Sequence, residues 1–238
     1  MSNRYTDGSY LAKNPSWHKE DAPWKLMHIL RVIRDARLTD FLRVLDAGCG
    51  SGDIIKTWAQ QAPQIHFTGW DISPQAYALA MRQKPDNVCF VQQKTPPQEN
   101  FDLVMAIDVL EHVPQYETWF KKISSLAPRI VLHVPLDLSL RSVLSPQLLE
   151  RERQSVGHIH FFTARRLKRF LQQNGCQILS AHYTNKYVEC PPALPRLKSR
   201  IGMAIRRLAH RLCPWGSALL LGGYSLMVVV QVNPSDAK

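Results

Sequence analysis

"VLDAGCGSGD", Val44 to Asp53, runs from a short apolar segment into three glycines within five positions. Ordering a glycine costs more backbone entropy than ordering any other residue. A cluster of them after an apolar run therefore calls for a tight turn or for close approach of a ligand. The surrounding pattern is that of strands alternating with helices. Residues 43–46 read as a strand and 53–61 as the helix behind the glycines. Further strands are predicted over 65–71, 88–92, 101–107, 129–134, 176–183 and 224–232. Helices are predicted over 74–82, 114–126 and 163–174. The run 101–107 is almost continuously apolar, as central parallel strands are. This alternation predicts a doubly wound α/β sheet with its ligand at the carboxyl ends of the strands, where the glycines fall.

The glycine spacing narrows the ligand. Gly48-x-Gly50-x-Gly52 places Asp53 where a dinucleotide fingerprint needs its third glycine, and no Lys-Ser/Thr pair follows, so a P-loop is excluded. "VLDAGCGSGD", "GWDIS" at the end of the second strand and "FDLVMAIDVLEHV" across the fourth resemble motifs of class I S-adenosylmethionine-dependent methyltransferases. "GHIHFFTARRLKRFLQQNGCQIL" resembles the late helix–strand unit of the small-molecule branch that includes quinone O-methyltransferases. The resemblance spans roughly residues 40 to 183. It implies a Rossmann-like, mostly parallel seven-stranded sheet with helical cap segments. The chain is expected to divide into a lead segment (1–40), a cofactor-binding core (41–184), and a basic cap helix with a terminal strand completing the sheet (185–238).

The resemblance also implies site residues. S-adenosylmethionine is the expected cofactor. Gly48, Cys49 and Gly50 allow its methionine part to approach the backbone, and Asp46 reaches its ammonium. Asp71 has two carboxylate oxygens for the two ribose hydroxyls; the alternative is a cap on the helix that starts near Pro74. Ile72 lines one face of the adenine or simply packs in the core. Ile107 and Asp108 close the end of the fourth strand. Relatives commonly carry Gly-Asp after the third strand, where this chain has "FVQQKT", so the adenine contact falls to Gln92 or Gln93.

Transfer of a methyl group from a sulfonium is an in-line displacement. Positioning supplies much of the rate, and a base is needed only where the acceptor must lose a proton. His112 and His133 are the candidate bases, while His158 and His160 read as loop and packing residues. "DVLEH" sets Asp108, Glu111 and His112 at i, i+3 and i+4, one face of a helix. In quinone O-methyltransferases the matching set resembles a divalent-metal site; the alternative is a brace for the first helical turn.

The flanks carry acceptor choice. "NPSWHKEDAPWKLMHILRVI" becomes a helix near Asp21, with Leu26, Ile29, Leu30 and Ile33 on one face, and Trp17, His18 and Trp24 read as cap residues. "RLKSRIGMAIRRLAHRL" (196–212) puts Leu197, Ile201, Ile205, Leu208 and Leu212 on one face and its arginines mostly on the other, without an acid. Such a helix contacts an anionic membrane, holds a phosphate-bearing acceptor, or is a cap helix packed on the sheet with a solvated basic face. "GSALLLGGYSLMVVVQV" reads as a terminal hairpin, too short and glycine-interrupted to span a membrane.

Of the 238 residues 45% are hydrophobic and 21% charged, and the net charge of +11 invites an anionic partner. Five widely spaced cysteines predict reduced thiols and a cytoplasmic setting, and the first ten residues do not resemble a secretory leader. Nucleic acid is the weaker choice of acceptor. The fourth strand lacks the Asn/Asp-Pro-Pro-aromatic turn of adenine-amine enzymes, and no Pro-Cys nucleophile follows a strand. A cofactor-binding protein without an acceptor site is the remaining alternative. The expected activity is methyl transfer to a small lipid-, quinone- or sugar-like molecule, at oxygen.

Overall fold

The computed structural model describes residues 5–17, 19–190 and 197–233. Seven strands form one sheet: β1 (Arg43–Ala47), β2 (His66–Asp71), β3 (Val88–Gln92), β4 (Leu103–Ile107), β5 (Arg129–Leu136), β6 (Cys176–Thr184) and β7 (Tyr224–Val232). Their order is β3-β2-β1-β4-β5-β7-β6. All pairings are parallel except those of β7, which runs antiparallel between β5 and β6. This is the predicted doubly wound sheet.

The helices are α1 (Ser9–Lys13), α2 (Ala22–Asp35), α3 (Asp53–Ala59), α4 (Pro74–Ala80), α5 (Tyr116–Ser124), α6 (Leu140–Leu144), α7 (Gln147–Ser155), α8 (Ala164–Gln173), α9 (Lys186–Glu189), α10 (Leu197–Leu212) and α11 (Pro214–Leu221). Side-chain alternation assigns them to layers. Leu103, Met105 and Ile107 of β4 face α2 and α3 through Ile29, Val32, Ile55 and Trp58. Val104 and Ala106 face α5 and α8 through Phe120, Ile123, Leu167 and Phe170. Leu26, Ile29 and Ile33 of α2 are buried as their spacing predicts.

One expectation is corrected. The hairpin read in "GSALLLGGYSLMVVVQV" is a helix, α11, followed by the strand β7. Pro214 opens α11 where its missing N–H costs nothing, and the Arg206 guanidinium takes the terminal carbonyls of Leu221 and Gly222 (3.2 and 2.9 Å). The basic helix 196–212 is helical over its described part. It packs on α9 and α11, and its His210 ring lies 5.5 Å from that of Tyr224 in β7. Arg206 is spent on the carbonyls named above, and the Arg207 Nε–H donates to Val188 O. Of its apolar stripe, Leu208 and Leu212 are exposed; the side chains of Leu197, Ile201 and Ile205, like His18 and Arg196, lie outside the described residues.

The chain steps outward from β1 to β2 and β3, then returns to the other side of β1 for β4. That reversal opens a crevice beyond the carboxyl ends of β1 and β4, and the glycine turn after β1 forms its rim.

Candidate active site

The turn after β1 is pinned by two hydrogen bonds, Gly48 N–H and Cys49 N–H both donating to Trp70 O at 2.7 and 3.1 Å. Gly48 and Gly50 adopt left-handed backbone conformations, φ +83° and +55°. A Cβ at Gly48 would meet Val109 at 2.6 Å, and one at Gly50 would meet the Trp17 indole at 2.5 Å. Gly52 packs on Phe90. The glycine cluster therefore answers to backbone shape and close packing at the rim of the crevice.

Asp71, at the tip of β2, accepts Gly50 N–H through Oδ2 and Ser73 N–H through Oδ1, both at 2.8 Å. The helix cap is Ser73, whose Oγ accepts Ala76 N–H. Burial raises the Asp71 carboxyl above its ordinary range, while its backbone donors work in the opposite direction. Each oxygen keeps one lone pair for a ligand. Asp71 and Ile72 line a cavity of about 130 Å³ whose walls are aromatic and aliphatic: Tyr10, Trp17, Val109, Trp119.

A larger chamber, about 340 Å³, adjoins it and is polar. Asp108 closes β4 in a left-handed conformation, φ +56°. Its carboxylate bridges Lys25 Nζ of α2 (2.7 Å) and His133 Nδ1 of β5 (2.6 Å). His133 Nε2 lies 2.9 Å from Thr184 Oγ1. Burial alone would raise the Asp108 carboxyl, but His133 and Lys25 hold it well below the usual carboxylate range. Lys25 is likewise buried, and Asp108 more than offsets that burial, so its ammonium is retained. Asp46 lies on the same chamber, where burial first and the Asp71 charge second outweigh the Lys25 charge and push it up to about 7.

Beside this chain of contacts, a single 3₁₀ turn (Leu110–His112) and the loop before α8 bring Glu111, His112 and His158 together. Their ligand-type atoms all lie within 4.8 Å of one another. His112 Nδ1 lies 3.1 Å from Gly157 O and 2.9 Å from Tyr5 Oη, while Tyr5 O–H donates to Val156 O. His158 Nδ1 is 2.8 Å from Asp137. The Nε2 atoms of both rings face Glu111 Oε1, at 3.8 and 4.0 Å. Glu111 is fully buried, and neither carboxylate oxygen has a hydrogen-bond partner among the described residues. Burial, then the Asp108 charge, raises it to about 8. Burial opposes a charge on His158, but Asp137 and Glu111 prevail and hold it up at about 9.

The shared helical face expected for Asp108, Glu111 and His112 is thereby corrected. The left-handed bend at Asp108 turns its side chain toward Lys25 and His133, and His158 takes the third place beside Glu111 and His112. The new trio fits a divalent metal ion by its donor chemistry. Two imidazoles have their Nδ1 atoms engaged by a carbonyl and a carboxylate, and an orphaned buried carboxylate faces both.

Of the other predicted residues, Gly48, Asp108 and His112 line both cavities, and Cys49, Gly50, Ile107 and His133 line the chamber. Gln93 lies off both; its backbone carbonyl accepts Trp70 Nε1–H and its N–H donates to Asp71 O. Trp17 and Trp24 line the cavities, where sequence reading made them only caps. His160 does pack in the loop, against Val113 O and Tyr116. Sequence reading missed Tyr10, Lys25 and Thr184, and set His158 aside although "GHIH" places two histidines together.

Comparison with known proteins identifies the family. A family model described as "Methyltransferase domain" matches residues 17–181. The trans-aconitate 2-methyltransferase of Escherichia coli O1:K1 / APEC is 26% identical over 178 residues, 69% of this chain and 68% of that protein. The ubiquinone biosynthesis O-methyltransferase of Idiomarina loihiensis is 30% identical over 112 residues, 41% of this chain and 45% of that protein, so the match spans less than half of that relative. The crystal structure of magnesium protoporphyrin IX methyltransferase from Synechocystis PCC 6803 with bound S-adenosylhomocysteine superposes with a TM-score of 0.57 at 17% identity, covering 91% of this chain and 84% of that one. The methyltransferase in complex with the Haloferax volcanii Trm112 activator gives 0.64 at 12% identity, covering 94% and 97%. At such identities the solved structures establish the shared fold. The fold is that of a class I S-adenosylmethionine-dependent methyltransferase. The chain belongs to the methyltransferase-domain family; it is an enzyme, and S-adenosylmethionine is its cofactor.

Proposed function

We propose that this enzyme moves the methyl group of S-adenosylmethionine to an oxygen of a small-molecule acceptor seated in the polar chamber. The observation that carries the reading is that Gly48, Asp108 and His112 line both cavities, so a cofactor whose nucleoside lies in the aromatic crevice and whose methionine part reaches past Gly48 toward Asp46 meets an acceptor seated in the rest of the chamber. The relative whose name specifies O-methylation supports the choice of oxygen. In this reading residues 1–40 close over the cofactor, 41–184 hold it and 185–238 shape the acceptor side. The five free thiols suit a cytoplasmic enzyme.

Asp71 holds the ribose hydroxyls, Ile72 packs on the adenine, and Asp46 pairs with the ammonium. Gly48 and Gly50 let the methionine part approach the turn. Gln93, off both cavities, takes no part. The acceptor oxygen attacks the methyl carbon as the carbon–sulfur bond breaks, and sulfur keeps that electron pair. His112 Nε2 takes the acceptor proton, its ring fixed by Gly157 and Tyr5. His133 has contacts at both nitrogens and holds Asp108 rather than a proton in transit. If a divalent ion were bound instead, Glu111 and the Nε2 atoms of His112 and His158 would hold it; it would supply Lewis-acid activation of the acceptor hydroxyl, and His112 would then be a ligand and not the base.

The test is methyl transfer from labelled S-adenosylmethionine to phenolic, polyprenyl and sugar hydroxyls. His112→Ala is expected to lower kcat by about 10²–10⁴ with unchanged cofactor affinity. Equal activity in the variant would remove His112 from the reaction.

A further inference from the structure

The outer faces of α6 and α11 carry an unusual surface. Leu140, Val143 and Leu144 follow i, i+3, i+4 spacing, so they share one side of α6, and all three are exposed, Leu144 at 74%. α11 contains no charged residue, and its buried side is only Ser217 and Ala218. Its large residues Trp215, Leu219 and Leu220 point outward, Trp215 at 60% exposure. A helix apolar on every side is ordinarily enclosed by protein or lipid.

The ridge is built, not frayed. Ser139 and Ser142 form a capping box at the start of α6, and a Cβ at Gly222 would strike Ser139 Oγ at 2.6 Å, which sets the end of α11 against the start of α6. Arg206 closes the carboxyl end of α11. Beside it runs the last half of α10, with Leu208, Leu212, Arg207 and Arg211 exposed. The stretch 196–212 carries six Arg or Lys, namely Arg196, Lys198, Arg200, Arg206, Arg207 and Arg211, and no acid.

We propose that α6 and α11 form an apolar ridge that seats in the headgroup layer of an anionic membrane, with Arg207 and Arg211 of α10 facing the lipid phosphates. The charge complementarity selects a membrane over a protein partner: an apolar ridge bordered by cations with no intervening acid on α10 or α11 is the pattern of an interfacial helix. No helix among the described residues is long and apolar enough to cross a bilayer, so the contact is peripheral. Behind the ridge a groove of about 540 Å³ passes between Leu148 and Leu149 of α7 and Leu221 of α11. It shares Glu152, Tyr187 and Gly223 with the polar chamber. An acceptor dissolved in the membrane therefore has a route from the ridge to the chamber, a step that rests on the acceptor reading above.

The experiment is co-sedimentation of the full chain with phosphatidylcholine vesicles, with and without phosphatidylglycerol, at low and high salt. The wild type is expected to bind the anionic vesicles. The exposed-site variant Val143→Ser/Leu144→Ser/Trp215→Ser is expected to lose at least tenfold in binding at both salt levels, and Arg211→Glu to lose it mainly at low salt. Brominated lipid should quench the wild-type fluorescence and quench Trp215→Phe less. S-adenosylhomocysteine affinity should be the same in every variant, showing the fold intact. Binding unchanged in the triple variant, no binding by the wild type, or a wild-type dimer that the triple variant abolishes would each overturn the proposal. Failure of the wild type to bind S-adenosylhomocysteine would instead overturn the placement of the cofactor and leave the vesicle result standing.

Discussion

The indole of Trp17 lies on Gly50, so near that a single methyl group at Gly50 would stand 2.5 Å from the indole nitrogen. One residue of the lead segment and one of the cofactor turn are thereby shaped to each other. Gly50→Ala must adopt a left-handed conformation that costs a side-chain-bearing residue roughly 1–2 kcal/mol, and it must also displace Trp17. S-adenosylhomocysteine affinity, measured by calorimetry, is expected to fall more than tenfold. Gly202→Ala in α10 is the control: nothing lies within 4 Å of its added Cβ, and it should stabilise the helix by about 0.5–1 kcal/mol.

Cofactor affinity should depend on pH through Asp46. Burial and then Asp71 hold its carboxyl up at about 7, whereas pairing with the cofactor ammonium requires the ionised form. Affinity is expected to rise as pH approaches 7 from below, by up to roughly tenfold per pH unit, and to level off above it. Asp46→Asn should bind weakly with that rise removed. A wild-type affinity flat between pH 5 and about 7 would separate Asp46 from the ammonium.

The cluster that ties α2 to β6 and α9 should contribute two stages to the loss of stability in acid. His28 lies 3.0 Å from His182 and 2.5 Å from Glu189, and Trp24 Nε1–H also donates to Glu189. Burial, then His28 and Arg31, lower His182 from 6.5 to about 4. The unfolded chain takes up that proton first, so stability falls as pH drops from 6.5 toward 4 and this contribution is constant below. Burial opposes ionisation of Glu189, yet His28, the Asn185 N–H and Trp24 lower it from 4.5 to about 2. Its contribution is complete above 4.5 and is lost as pH falls toward 2. Urea unfolding across this range should show His182→Gln with a smaller upper stage and Glu189→Gln with a smaller lower one, the rest of the lower stage belonging to Asp108.

The trio Glu111, His112 and His158 should bind a divalent ion such as manganese or zinc in calorimetry. Asp137→Asn, which removes the partner of His158 Nδ1, should weaken that binding by about 10–100-fold. His158→Ala should abolish it. Chelator-insensitive activity together with no metal uptake would leave His112 as a base alone.

What the sequence discloses here follows the range of each interaction. The glycine turn, Asp71 and the strands are local: their residue types and spacing carry the constraint, and α2 buries the face its periodicity names. The site's polar side is not local. Lys25 reaches Asp108 across 83 positions, and His158 meets Glu111 across 47, so only the topology brings them together. "DVLEH" misleads because the periodicity of a helix assumes helical backbone throughout, and Asp108 is left-handed. α11 hides for a related reason. Its outward face is apolar, so it has no polar stripe to reveal a helical period, and the glycine pair after it imitates a hairpin turn.

The most direct measurement is titration of S-adenosylmethionine into the wild-type protein and into Asp71→Ala. One molecule should bind per chain and be displaced by S-adenosylhomocysteine. Asp71→Ala should weaken binding more than tenfold, about 1.4 kcal/mol, with the fold retained by circular dichroism. Equal affinity in the variant would contradict the placement of the cofactor at the tip of β2, and absence of binding to the wild type would contradict the account as a whole.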